Sequence, residues 1–126
     1  MKKIIYTSNA PEPIGPYSQA VLIYDTLYVS GQIAINPTNN LLIVSSIKEE
    51  TKQVLDNLTQ VLIAAEMNLS NVVKTSIFLK SMDDFALVNQ IYGEYFTVDF
   101  PARETVAVRT LPKGVNVEIS AIAIKF

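Results

Sequence analysis

The chain predicts an α+β fold, a mixed β-sheet with two helices covering one face, and three observations carry this. Apolar, β-branched runs recur toward both ends. Two segments with helical periodicity lie between them, each opened by a serine in a capping position. Proline- and turn-rich stretches punctuate the boundaries. The resulting order is ββαβαββ, with an additional short strand at the N-terminus.

Lys2 to Tyr6 reads as that short edge strand. Pro11-Glu12-Pro13-Ile14-Gly15-Pro16 follows as a fixed loop, because its three prolines cannot donate to a ladder. Tyr17 to Ile23 and Leu27 to Gln32 read as strands joined at Asp25-Thr26, and Asn36-Pro37-Thr38-Asn39-Asn40 as a turn. Ser46-Ile47-Lys48-Glu49 has capping-box spacing. Ile47, Val54, Leu55, Leu58, Val61, Leu62 and Ala65 then recur at helical spacing, which predicts a helix over 47–66. Val72 to Leu79 is a strand. Ser81-Met82-Asp83-Asp84 supplies a cap and an acidic first turn for a second helix bearing Phe85, Val88, Tyr92 and Tyr95 on one stripe, ending before Pro101. The aromatic stripe of that helix, Phe96 included, reads as core. Arg103 to Arg109 and Val115 to Phe126 are the last strands.

With 126 residues and no linker or repeat, residues 1–126 are read as a single domain. Hydrophobic residues make up 49% of the chain and charged ones 17%, which is apolar for a small monomer; the uncovered sheet face is expected to meet another subunit. No apolar stretch approaches the roughly 18 residues of a spanning helix, and Thr7-Ser8-Asn9 interrupts the N-terminus before a signal-peptide core can develop. A soluble cytoplasmic protein is the expectation. The net charge of −2, with scattered lysines, disfavours nucleic acid and anionic membranes as partners. With no Cys and no His, thiol chemistry and the commonest metal ligand and general base are missing. Gly15 and Gly31 are too far apart to form a phosphate-binding loop.

Two charges stand out inside strand sequence. Arg103 opens Arg103-Glu104-Thr105-Val106-Ala107-Val108, and Glu118 interrupts Val115-Asn116-Val117-Glu118-Ile119-Ser120-Ala121-Ile122. A charge in an apolar strand needs a partner or a task. Arg103 offers a planar fork suited to a carboxylate, or forms an ordinary ion pair. If Pro112-Lys113-Gly114 closes a simple hairpin, Glu118 faces Val108 and Arg103 lies about 17 Å away along the strand. Either that connection is not a tight hairpin or the two charges flank a cleft; Glu118 is a structural acceptor or a water-orienting group. Alternation puts Thr105 on the Arg103 face and Glu104 on the other. Tyr17, Ser30 and Gly31 could touch a ligand, though packing and a β-bulge explain them as well.

Separated blocks also resemble, in order, the RidA family of reactive intermediate deaminases, also called YjgF-type proteins. They are Asn9-Ala10-Pro11, Ile14-Gly15-Pro16-Tyr17-Ser18-Gln19-Ala20, Ser30-Gly31-Gln32-Ile33, Gln53-Val54-Leu55-Asp56-Asn57-Leu58, Val73-Lys74-Thr75, Asp84-Phe85, Pro101-Ala102-Arg103, Leu111-Pro112-Lys113-Gly114 and Val117-Glu118-Ile119. The resemblance spans essentially the whole chain. It implies a chorismate-mutase-like homotrimer in which six-stranded sheets form a central β-barrel, with ligand clefts between subunits. It further implies that Arg103 binds a substrate carboxylate, that Glu118 positions water, and that Tyr17, Ser30, Gly31 and Thr105 line the pocket. The implied reaction is hydrolysis of 2-imino acids or their 2-enamine tautomers, such as 2-aminoacrylate and 2-iminobutanoate, to 2-oxo acids and ammonia, with no cofactor and no metal. Two departures stand out: many members have a small residue and a cysteine where this chain has Glu104 and Thr105, so Glu104 must find an exposed edge or a basic partner. A non-catalytic, small-acid-binding regulator or chaperone of the same fold is the alternative. A ribonuclease or translation inhibitor conflicts with the acidic charge.

Overall fold

The computed structural model describes residues 1–126 as one mixed six-stranded sheet with two helices on one face. The strands are β1 (Lys2–Ile5), β2 (Ala20–Ile23), β3 (Thr26–Gln32), β4 (Val72–Leu79), β5 (Ala102–Ala107) and β6 (Val117–Ile124), and the helices are α1 (Ile47–Ala64) and α2 (Phe85–Tyr95). The sheet order is β1-β2-β3-β6-β4-β5. Only β4 and β5 pair in parallel. No helix is long and apolar enough to cross a membrane.

This order decides the connection left open between the last two strands: it is not a tight hairpin. β6 does not pair with β5; it inserts between β3 and β4, and β5 takes the outer edge of β4. Pro112–Gly114 is a single 3-10 turn, with Lys113 at φ 56° and Gly114 at φ 68°, on the path that carries the chain back across β4.

Other boundaries shift for local reasons. β2 starts at Ala20 rather than Tyr17, because its partner β1 ends at Ile5, opposite Ala20. The β2–β3 turn is Tyr24-Asp25, with Tyr24 at φ 51°, one residue earlier than the sequence reading. β5 stops at Ala107 rather than Arg109: β4 ends at Leu79, whose carbonyl accepts from Val108 N–H at 2.9 Å, and beyond it no strand remains to pair with. Ser46 caps α1, its side chain accepting from Glu49 N–H at 3.1 Å. The helix closes with Glu66 in the left-handed region (φ 60°), Glu66 N–H bonded to Ile63 O and Met67 N–H to Leu62 O, the pattern of a Schellman close. Ser81 caps a 3-10 turn, Met82–Asp84, and α2 itself begins at Phe85.

The core lies between sheet and helices. Leu27, Leu55, Leu58, Leu62, Ile77, Leu79, Ile91 and Ile119 are its largest fully buried apolar residues. β6 shows how one strand serves two faces: Val117, Ile119, Ala121 and Ala123 are buried toward the helices, while Glu118, Ser120, Ile122 and Ile124 are half-buried on the opposite face. That second face carries no helix. It presents Ile4, Tyr28 and Val106 at 52%, 51% and 43% exposure, so the uncovered apolar face expected from composition is present.

Candidate functional site

Ladder register decides which candidate residues can meet. Arg103 lies opposite Thr75 and Thr105 opposite Ile77, and both Thr75 and Ile77 are buried on the helix side of β4. Glu118 lies opposite Phe78, on the uncovered side. Arg103 and Glu118 therefore belong to opposite faces of one sheet, and a single chain does not bring them together. The sequence expectation that they do not pair holds, for this reason and not for separation along a hairpin.

On the uncovered side, Glu118 does join Tyr17, Ser30 and Gly31. With Ile14, Ile33 and Pro112 they line an open cleft of about 350 Å³. The β3–β6 register breaks between Val29 and Gln32, so Ser30 and Gly31 sit in a bulge. Gly31 has a steric cause: a Cβ there would lie 2.5 Å from Glu118 Oε2 and 2.6 Å from Cδ. The carboxylate lies directly over the glycine. Burial pushes the Glu118 carboxyl above the ordinary carboxylate range. Neither of the chain's ion pairs, Lys52–Glu49 and Lys74–Glu104, includes it. Gly31→Ala is expected to cost about 1–3 kcal/mol and to drive the Glu118 carboxylate outward. Urea unfolding measures the first effect, and a midpoint equal to the parent's would show that the glycine is dispensable.

The walls of this cleft hang on buried polar side chains that the sequence reading did not single out as functional. Gln19 is buried and holds the proline loop: its Oε1 accepts from Thr7 N–H at 2.7 Å, and its Nε2 donates to Thr7 O at 3.0 Å and Pro11 O at 2.9 Å. Ser30 ties into the same loop, its N–H bonded to Gln19 O and its hydroxyl donating to Ser18 O at 2.6 Å. Asn57, on α1, donates to Ile33 O and Ile35 O. Tyr17 lies in the loop rather than in a strand, and its hydroxyl accepts from Ile14 N–H at 3.3 Å.

On the helix side, Arg103 lines a second cleft, of about 490 Å³, with Asn89, Tyr92, Gly93, Phe100 and Pro101. Its guanidinium carbon stands 4.9 Å from the Tyr92 ring centroid and 5.7 Å from that of Phe85. The ordinary ion pair is not formed, since no carboxylate lies within salt-bridge distance of Arg103. Tyr92 is both core and cradle: buried, it shares a hydrogen bond of 2.7 Å with Thr75 while its ring faces the guanidinium. The stripe on α2 is thus not all core, for Phe85 is partly buried under Arg103, and Tyr95 directs its hydroxyl to Asp56 at 2.6 Å. Thr105 accompanies Arg103, and its hydroxyl is buried without a hydrogen-bond partner. Such a group is costly to leave unsatisfied.

Glu104 has found its basic partner. Its carboxylate bonds the Ser76 hydroxyl and lies 3.0 Å from Lys74 Nζ, and these contacts, Ser76 first, hold its carboxyl below the ordinary range.

The chain's fully buried carboxylate is neither of the two charges singled out. It is Glu50, in the first turn of α1, which accepts from Asn116 N–H at 2.7 Å, Asn116 Nδ2 at 2.8 Å and Val117 N–H at 3.0 Å. The signal was present: Glu50 stands one turn before Val54 on the apolar stripe, although an acid in a first turn reads equally as a solvated group favoured by the helix dipole.

The endoribonuclease L-PSP family model matches residues 7–125. A RutC family protein of Pyrococcus horikoshii is 48% identical over 125 residues, 99% of both chains. Human 2-iminobutanoate/2-iminopropanoate deaminase is 46% identical over 125 residues, covering 99% of this chain and 91% of that protein. The solved structure of a Rid family protein from Yersinia pestis superposes with a TM-score of 0.96 at 47% identity, covering 99% of this chain and 100% of the other.

Proposed function

This chain belongs to the endoribonuclease L-PSP family, the family of the YjgF and Rid proteins, and from that premise we propose that it hydrolyses 2-imino acids and their 2-enamine tautomers to 2-oxo acids and ammonia. The observation that carries the reading is an arginine fork stacked on aromatic rings with no carboxylate partner of its own, in a chain that also sets a half-buried, unpaired carboxylate against a glycine. The first matches a substrate carboxylate; the second matches a water that must lose and return protons.

In this mechanism Arg103 holds the carboxylate, with the Thr105 hydroxyl beside it, and fixes C2 for attack. Water held by Glu118 adds to C2 as the C=N π pair moves to nitrogen, and Glu118 takes the proton that water releases. The protonated carboxyl returns that proton to the amine of the carbinolamine. The C–N bond then breaks with its electron pair leaving on ammonia, the C2 hydroxyl gives its proton to that ammonia, and the 2-oxo acid and ammonium form. Iminium and water thus become oxo acid and ammonium, with Glu118 unchanged. A carboxyl raised above its usual range exchanges protons with such groups more readily than an ordinary one. Tyr17, Ser30 and Gly31 form the wall, and the mechanism uses no cofactor.

Because the two charges lie on opposite faces, a working site requires Glu118 of one copy to meet Arg103 of another. We take the assembly to be a homotrimer closed through the uncovered faces, with a cleft at each junction. The apolar character of that face supports this reading. Two inactive variants, Arg103→Ala and Glu118→Gln, co-refolded at equal amounts, are expected to regain about a quarter of parental activity, the fraction of junctions that receive both intact residues at random. Light scattering that shows an active monomer would contradict the assembly.

The test of the activity is to generate 2-iminobutanoate with a threonine dehydratase and follow its decay with and without this protein. Acceleration supports the deaminase reading; none moves it to a small-acid-binding regulator. The ribonuclease named in the family's description finds no support in the net charge of −2.

A further inference from the structure

We propose that Glu50 is a positioning residue for hydrolysis: from inside the core it fixes the backbone that holds Glu118 against Gly31. The inference rests on the reading of Glu118 as the group that holds the attacking water.

Residues 112–116 form the approach to β6, and Pro112 lines the Glu118 cleft. The approach passes through two successive left-handed residues, Lys113 and Gly114, so local backbone preference does little to fix where β6 begins. Val115 and Val117 are buried, and the polar contacts that fix the segment lie on two sides of Asn116. Its carbonyl accepts from Lys80 N–H at 3.0 Å, at the end of β4. Its N–H, its side-chain amide and the next N–H, that of Val117, all converge on the Glu50 carboxylate. The side-chain hydrogen bonds that reach this segment come from that one residue.

Glu50 is fully buried and has no cationic partner, a placement tolerated where several N–H groups solvate the carboxylate. Glu118 is the next residue after Val117. Its carboxylate lies so close over Gly31 that a methyl group would not fit between them. At such contact, a shift of a few tenths of an ångström in the start of β6 lifts the carboxylate from its wall. Helix α1 thereby sets the geometry of a group on the far side of the sheet.

What Glu50 supplies is an acceptor, not a charge. A glutamine there can accept both backbone N–H groups on its carbonyl oxygen, and the Asn116 amide can turn to offer oxygen to the glutamine NH2. An alanine leaves two buried N–H groups without partners.

The experiment compares Glu50→Gln, Glu50→Ala and Glu50→Asp, alone and combined with Glu118→Gln, using 2-iminobutanoate well below the melting temperature. Glu50→Ala is expected to lower kcat about tenfold, as small misplacements do, while KM and affinity for 2-oxobutanoate, set at Arg103, stay near parental. Glu50→Gln should stay within about twofold. In the Glu118→Gln background, Glu50→Ala should add almost nothing, because both changes act through one group. A readout independent of turnover is the carboxyl carbon-13 titration of Glu118, expected to fall toward the ordinary carboxylate range in Glu50→Ala. Unchanged kcat in folded Glu50→Ala, a further tenfold loss on Glu118→Gln, or an unmoved Glu118 titration would each overturn the proposal. If Glu50→Ala does not fold, Glu50→Asp, which withdraws the acceptor by one methylene, is held to the same criteria with about a threefold fall expected. If the parent protein hydrolyses no imine, the proposed activity fails, and the Glu118 titration alone decides whether Glu50 positions that carboxylate.

Discussion

Arg103→Lys is expected to lower kcat/KM for 2-iminobutanoate by about 10- to 100-fold, the loss of one to two charge-assisted hydrogen bonds worth about 1.5–3 kcal/mol each, partly offset by the ammonium that remains. Arg103 spends none of its donors on a carboxylate of its own chain, so the fork is free for a ligand. Its orientation comes from stacking: Tyr92 lies under the guanidinium, and Tyr92 is itself held by burial and by its bond to Thr75. Lysine keeps the charge but has neither the planar face nor the paired donors, so the carboxylate loses its fixed angle and C2 its alignment with water. The cost to folding should be small, about 0.5–1 kcal/mol from the lost cation–π contact at a partly exposed site. Steady-state kinetics, 2-oxobutanoate calorimetry and thermal unfolding on the same sample separate these effects. Parental kcat/KM in a folded Arg103→Lys protein would remove Arg103 from the site.

That Arg103 could be picked out from sequence, while its neighbourhood could not, follows from the range over which sequence patterns act. Alternation in β6 and the stripe on α1 are local, and they identified the strand and helix to within a few residues. The face assignment of Arg103, Thr105 and Glu104 is equally local, and Glu104 indeed emerges on the other side, against Lys74 and Ser76. Strand order is not local. Nothing in residues 102–124 says that β6 threads between β3 and β4, so residue pattern alone leaves open whether the last two strands form a hairpin and what surrounds each of their two charges. The buried polar anchors escaped for a related reason. Gln19 and Glu50 each bond backbone at least eight residues away, and each belongs to a type usually found in water. Arg103 and Glu118 stand out by residue type, as charges within apolar strands, whereas Tyr17 and Ser30 are by residue type alone indistinguishable from packing.

Glu118→Gln is expected to reduce imine hydrolysis by about 100-fold or more, the scale of a lost general base, with 2-oxo acid affinity changed far less. Glutamine fits the space over Gly31 but cannot take a proton from water. The pH dependence follows from the raised carboxyl: activity in the parent should fall as pH drops through the Glu118 pKa, at a higher pH than an ordinary glutamate would give, and this limb should vanish from the residual activity of the variant. Stability has the opposite sign. A carboxyl whose folded pKa lies above its unfolded one contributes stability fully below the unfolded pKa and loses it as pH rises through the folded value, so at neutral pH the ionised Glu118 opposes folding. A purely structural acceptor would behave otherwise, and its loss would destabilise. Melting curves of parent and variant at neutral pH and near pH 4 decide between them: Glu118→Gln should melt no lower than the parent at neutral pH, and any advantage should shrink in acid. A lower melting point at neutral pH together with weakened 2-oxo acid binding would make Glu118 a structural residue and leave the hydrolysis without its base.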